Sequence, residues 1–232
     1  MDIFQHYSTL LDKVLQGNSN YWKTWLQAPF SISNTNISKS VYVDCGVDRA
    51  AIVDTKCDWI VKFGLESTSP CDNELRLYDM AKHEGVAKYL CKCKYIGTYK
   101  RTIQFWDYTV ANNFFWTDKD EFEERFSAIK GELGPRTSIQ IELPLYAYKR
   151  ATKADFNFSL SREELEFCDS YHTSPLTHCH KEVAIRFKDT YGIEEFEKFS
   201  EFCNKYDIND LHIGNVGMVD GRFVIIDWAS CN

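Results

Sequence analysis

Asp210 and Asn215 stand five residues apart in "NDLHIGNVG", and Asp227 closes the apolar run "RFVIID" that follows. Carboxylate and amide oxygens are hard donors. Magnesium takes such oxygens and needs only one or two carboxylates from a protein, so Asn215 and Asp227 on adjacent strand ends could share one ion. Asp210 would then orient an attacking hydroxyl and accept its proton. The chemistry that needs these groups together is phosphoryl transfer from a nucleotide triphosphate. It also needs a cation on the phosphates. Lys62 in "WIVKF" offers one, and Glu74, in the first turn of the next expected helix, could hold it in place.

These residues are useful only if the elements bring them together. Residues 2–16 read as a helix striped by Ile3, Leu10, Leu11, Val14 and Leu15. A polar, loop-like segment around Trp22, Trp25 and Phe30 follows. Three strands are expected at 40–44, 50–55 and 58–63, the first two joined as a hairpin through "CGVDR". A helix over "SPCDNELRLYDMAKHEG" comes next, with Ser69 or Asp72 as cap, Leu75, Tyr78 and Ala81 on one face and Gly85 at the exit. Two further strands, 94–99 and 102–109, are expected to turn at Lys100-Arg101.

The following hundred residues are expected to be mainly helical. Phe122, Phe126 and Ile129 share a face; Ser161 and Glu164 form a capping box; Val183, Phe187 and Tyr191 are spaced by four before Gly192. Ile193, Phe196, Phe199, Cys203 and Tyr206 stripe the last helix. One strand-like run, 138–146, interrupts the region. The terminal segment reads as strand Val216–Val219, a turn at Asp220-Gly221 and strand Phe223–Ile226.

Composition sets the frame. The chain has 232 residues, 44% of them hydrophobic, with 16 Phe, 13 Tyr and 6 Trp, enough apolar mass for a proper core. A net charge of −7 with interspersed signs argues against a large nucleic-acid footprint. No apolar stretch approaches membrane-spanning length, and the start lacks the features of a signal peptide. Nine cysteines, an odd number with no CxxC, read as reduced cytosolic thiols, so a cytoplasmic protein is expected.

"DLHIGNVG…VIIDW" resembles the catalytic segment of aminoglycoside and choline phosphotransferases, members of the protein-kinase-like superfamily. "IVKF…NELRLY…FWDYT" is similar to that superfamily's N-lobe lysine, helix glutamate and hinge, and the compact length is similar to small kinase-like proteins of bacteriophages. The resemblance covers roughly 40–110 and 193–229. It implies an α+β, two-lobed, protein-kinase-like fold: an N-terminal extension over 1–39, a five-stranded antiparallel N-lobe sheet with one helix over 40–110, and a truncated, mainly helical C-lobe over 111–232 with its catalytic segment at 207–229. It implies ATP and Mg²⁺ as ligands, with a protein or small-molecule hydroxyl as acceptor. Residue by residue, it makes Asp210 the base, Asn215 and Asp227 the metal ligands, Lys62 the phosphate anchor and Glu74 its partner. His212 would brace the catalytic segment, Asp107-Tyr108-Thr109 would be the hinge that meets adenine, and Gly46 would be the lone glycine of the phosphate-covering hairpin. The sequence stops five residues after Asp227, so no activation segment or later C-lobe helices are expected.

Two other functions use the same residues. A catalytically inactive kinase-like module that binds or inhibits a host protein would keep the fold, and an AMP transferase would keep the metal ligands. Taken singly, each residue also has an ordinary reading: Asp210 as a turn former, Asp227 as an exposed strand-end acid, Lys62 as an outward-facing lysine, Glu74 as an acid favoured by the helix dipole. Cys168, His172, His178, Cys179 and His180 in "CDSYHTSPLTHCHKE" suggest zinc by type, but their spacings fit no standard finger, and surface or core positions are expected.

Overall fold

The computed structural model describes residues 2–17, 35–45, 49–64, 70–105, 137–156, 159–178 and 180–228. They form an α+β protein that divides into two compact units: one of residues 1–55, 61–69 and 96–145, the other of 56–60, 70–95 and 146–232. The expected hinge at Asp107, Tyr108 and Thr109, Gly46 of the hairpin, and the helix face of Phe122, Phe126 and Ile129 lie outside the described residues.

The first unit is built on a sheet. Helix α1 (Ile3–Gly17) precedes β1 (Thr35–Asn36), β2 (Val41–Cys45), β3 (Arg49–Asp54) and β4 (Trp59–Gly64), and these strands pair antiparallel in sequence order. Alternation carries the register: Val43 faces Ile52 and Ala50 faces Phe63 across the ladder, and all four are buried. Helix α1 buries Leu10, Leu11 and Val14 of the expected stripe together with Tyr7, while Ile3 is half-buried. Polar contacts hold it in place. His6 Nε2 lies 3.1 Å from Asp54 Oδ2, and Asp12 Oδ1 accepts from the Tyr99 hydroxyl at 2.7 Å and from Arg101 at 2.9 Å. Burial and, after it, the bond to Asp12 push the Tyr99 phenol up to about 12.

The sheet is completed differently from expectation. Residues 94–99 and 102–109 are not two strands turning at Lys100-Arg101. One strand, β5 (Cys93–Phe105), runs straight through. Neither residue is a turn former, and each finds a carboxylate instead: Lys100 reaches Glu142 at 2.7 Å and Arg101 reaches Asp12. The neighbour of both β4 and β5 is β6 (Thr137–Lys149), giving the order β1-β2-β3-β4-β6-β5. The run at 138–146 is therefore a sheet strand, and the sheet is not completed within 40–110.

The second unit carries α2 (Pro70–His83) and a short 3₁₀ turn, Ala87–Tyr89. After β6 come β7 (Thr152–Lys153) and helices α3 (Arg162–Ser170), α4 (Pro175–His178), α5 (Lys181–Tyr191) and α6 (Ile193–Lys205). The hairpin β8 (Val216–Val219) and β9 (Arg222–Ile225) ends the described chain, and β7-β8-β9 form a small sheet. Local signals are realised as expected. Ser161 and Glu164 make the reciprocal capping box of α3, and Gly192, at φ 91°, closes α5. The aromatic stripes of α5 and α6 meet in the core, where Phe187 stacks on Phe199 with centroids 5.0 Å apart. The end of α2 is pinned to α6 through Glu84, which accepts from Lys205 at 2.8 Å and from the Tyr206 hydroxyl at 2.5 Å.

Cys57, Cys71, Cys91, Cys93, Cys168 and Cys203 are free and buried, as expected of reduced thiols used as small apolar side chains.

Gly97 tests the docking of α1. Its φ is +140°, and a Cβ there would lie 2.8 Å from the Phe4 ring. Gly97→Ala should lose about 1–3 kcal/mol of unfolding free energy in a urea titration, the usual range for an overpacked site. A stability equal to the parent's would show that Phe4 does not occupy this position.

Candidate functional site

The acids flagged in the sequence fall in the second unit, on a loop held at both ends. After α6 the chain turns at Asp207, whose φ is +54°, and Ile208 N donates to Cys203 O at 2.9 Å. Ile208 and Leu211 are then buried, at 1% and 0% exposure, while Asn209 and Asp210 between them face solvent. Two apolar plugs thus present two polar residues.

Asp210 and Asn215 meet. The 3₁₀ turn Ile213–Asn215 folds the loop back, so that Asn215 Nδ2 donates to the backbone oxygen of Asp210 at 2.9 Å and to its Oδ2 at 3.1 Å. His212 caps this turn: its Nδ1 accepts from Gly214 N at 3.0 Å. That bond leaves Nε2 as the protonated nitrogen of the neutral ring, and Nε2 lies 3.7 Å from Asp210 Oδ1. Gly214 permits the arrangement, since a Cβ there would sit 2.7 Å from His212 Cε1. The Asp210 side chain remains 59% exposed.

Asp227 is fixed through both of its neighbours. On one side, the β8–β9 ladder pairs Val216 with Ile225, and its next rung is Ile226 N donating to Asn215 O at 2.8 Å. The hairpin closes on Asp220 (φ +50°) and Gly221 (φ +77°), the two left-handed residues of a tight turn whose twist matches the strands. On the other side, Trp228 N donates to Glu74 Oε1 at 3.2 Å and the Trp228 indole donates to Glu74 O at 3.3 Å. Asn215 and Asp227 therefore occupy adjacent strand ends, as expected. With its Nδ2 turned to Asp210, Asn215 keeps Oδ1 as an oxygen donor on the strand end adjacent to that of Asp227. One carboxylate and one amide oxygen suit a hard divalent cation that retains waters and phosphate ligands.

Glu74 is no ordinary surface acid. The first-turn acid of α2 is Asp72, which accepts from the Tyr146 hydroxyl; Glu74 lies one step further along the helix and is 0% exposed. Its Oε2 accepts from the Tyr148 hydroxyl at 2.5 Å. Loss of water and the neighbouring Glu74 charge hold the Tyr148 phenol well above its ordinary value. Tyr148 and Trp228 are the residues that sequence reasoning missed. A signal existed for Tyr148, because a hydroxyl in a run buried from Leu145 to Tyr148 must find a partner.

Lys62, on β4 of the first unit, is 9% exposed, which removes its reading as an outward-facing lysine. The cysteine–histidine stretch is dispersed: Cys168 is buried, His172 and His178 are exposed, His180 precedes α5 with its ring 6.0 Å from that of His212, and Cys179 lies outside the described residues. Among the described residues, no group of three or more His, Cys, Asp or Glu side chains is placed to hold a metal. Comparisons with protein-family models, with curated proteins and with solved structures each return no match.

The Glu74 anchor generates a stability prediction. Tyr148→Phe should lose about 1–3 kcal/mol, the cost of leaving a buried acceptor one donor short. Glu74→Ala should lose more, about 3–5 kcal/mol, because it strands several buried polar groups. Folding raises the Tyr148 value above the unfolded 10.0, so its contribution is complete below that pH and is lost as pH rises past it. Urea titrations from pH 8 to 11 should show the parent losing stability at the alkaline end more steeply than Tyr148→Phe. Parallel curves would remove Tyr148 from the anchor.

Proposed function

We propose that this chain is a protein-kinase-like phosphotransferase that moves the terminal phosphoryl group of ATP, with Mg²⁺, to a hydroxyl of a protein or small molecule. The observation that supports this most directly is the set of linked contacts running Asp210–Asn215–Ile226–Asp227–Trp228–Glu74. It gathers a solvent-facing carboxylate and two oxygen donors into one rigid segment.

In this reading Asp210 orients the acceptor hydroxyl and takes its proton as the hydroxyl oxygen bonds to the γ-phosphorus. The bond from that phosphorus to the bridging oxygen breaks, and ADP leaves with the electron pair. Magnesium, when bound, supplies charge neutralisation on the phosphates, and Asn215 Oδ1 and the Asp227 carboxylate would hold it. The resemblance gives Lys62 the role of phosphate cation and Glu74 that of its partner; within the second unit Glu74 anchors Trp228, next to Asp227. His212 is a positioning residue: by capping the 3₁₀ turn it sets the loop on which Asp210 and Asn215 converge.

The α+β architecture, with three meandering strands, a helix and further strands ahead of a helical region, is the element order the resemblance implies. In this reading the backbone of Asp107-Tyr108-Thr109 is the hinge that meets adenine, as the resemblance implies.

The three roles fail differently. ATP with magnesium should raise the melting temperature through mass action, and Asp227→Asn should abolish most of that rise. Asp210→Asn should keep the rise but lose roughly 10²–10⁴-fold in turnover, the contribution of a positioned general base. Mass spectrometry of acceptors from a lysate incubated with ATP·Mg²⁺ distinguishes a phosphoryl from an adenylyl adduct. An unchanged melting temperature at millimolar ATP·Mg²⁺ overturns nucleotide binding. Undiminished turnover in Asp210→Asn removes Asp210 as the base, and ATP·Mg²⁺ binding with no phosphoryl adduct on any acceptor overturns the phosphotransfer assignment and favours a binding module.

A further inference from the structure

A second concavity lies in the same unit, built from residues that have no part in the proposed phosphoryl transfer. It encloses about 310 Å³ between the end of α2, the 3₁₀ turn and the β8–β9 hairpin. That volume is at the lower end of the range for small-molecule sites. Its floor is apolar: Tyr78, Leu90, Cys91 and Val224 line it and are each 7% exposed or less. Its rim is charged.

The rim is what identifies a ligand. Lys92 and Arg222 both line the cavity and are exposed, and among the described residues neither side chain has a hydrogen bond or ion pair. Several other surface cations are matched, as in Lys100 with Glu142, Lys181 with Asp169 and Lys205 with Glu84, whereas these two converge on one apolar concavity. The third rim cation, Lys88, is drawn off by Glu195 at 3.0 Å. The rim's own acid is Asp220, in the hairpin turn, so two unmatched cations face one carboxylate. An apolar floor under a net positive rim suits a molecule with an apolar ring or chain and a single anionic head. Arginine and lysine together would take a phosphate, a sulfonate or a carboxylate.

We infer that this cavity, with Lys92 and Arg222 as its head-group ligands, is a binding site for a small amphiphilic anion. The site does not depend on the phosphotransfer reading. Its floor nonetheless reaches the other site by short steps: the Tyr78 ring lies 6.4 Å from that of Trp228, and β9 runs from Arg222 and Val224 towards Asp227.

The test is a titration of the isotope-labelled full chain with 1-naphthyl phosphate, read by the backbone amides of Cys91 and Val224. Saturable shifts at both are expected, with 1-naphthol and inorganic phosphate each binding at least tenfold more weakly. Lys92→Ala with Arg222→Ala should weaken the probe at least tenfold at an unchanged melting temperature. Asp220→Asn, which removes the opposing charge, should tighten it severalfold, so the outcome does not rest on one variant. Saturating ATP·Mg²⁺ should not displace the probe. The inference is overturned by no saturation at millimolar probe, by equal affinity for naphthol, by an unaffected double variant, by weaker binding in Asp220→Asn, or by displacement with ATP.

Discussion

The second unit depends on a carboxylate held out of water. Glu74 is fully buried, and a carboxylate stripped of hydration costs several kcal/mol unless donors replace the lost water. Two of its donors come from distant parts of the chain: the Tyr148 hydroxyl from the end of β6 and the Trp228 backbone N–H from beyond β9. Three elements must therefore arrive together for any one of them to be satisfied. The Trp228 indole reinforces the arrangement by donating to the carbonyl of Glu74, so main chain and side chain of one residue are bonded to main chain and side chain of another. Around this polar knot the rings of Tyr78 and Tyr148 pack 6.4 and 6.2 Å from that of Trp228, covering the carboxylate with apolar surface.

The same constraint explains the precision of the acidic loop. Asp227 has bonded residues on both sides, Ile226 to Asn215 and Trp228 to Glu74, so its backbone has little freedom to drift. Asn215 is held in turn through its side chain to Asp210, and Asp210 is flanked by buried Leu211. Rigidity passes from the buried carboxylate to the exposed one by backbone bonds. Preorganisation of this kind is what makes a positioned acid more useful than a free one, because the geometry is set by folding and not by the ligand.

Much of this was legible from local pattern. The stripes of α1, α5 and α6, the capping box at Ser161, the meander of β2 to β4 and the Asp220-Gly221 turn all follow from signals within about ten residues of chain. The five-residue spacing of Asp210 and Asn215 could be read for the same reason, since a short turn closes it. What could not be read is long-range. Nothing near Lys100-Arg101 states that β5 continues through it; the partner carboxylates that favour the straight path, Glu142 and Asp12, are far away in the chain. The membership of 137–149 in the sheet is set by β4 and β5 and by no local pattern of its own. Glu74 and Lys62 are the clearest cases, for an acid on a helix and a lysine in a strand carry no mark of burial. Only the donors that arrive from other elements make a buried Glu74 tolerable.

Burial also separates two acids of similar chemistry into different work. Glu74 is fully buried, and its two oxygens accept from Tyr148 and Trp228 inside the unit. Asp210, 59% exposed and braced by an amide and a histidine, can meet a molecule from solution. Exchanging the environments would disable both. An exposed Glu74 would be screened by water and would not fix Trp228, whereas a buried Asp210 would have no acceptor within reach. A segment that holds one carboxylate as a tether and offers another to solvent must therefore place them at different depths. The alternation of buried Ile208 and Leu211 with exposed Asn209 and Asp210 achieves this on the loop, while a helix whose inner face includes Cys71, Glu74, Leu77 and Tyr78 achieves it for the tether.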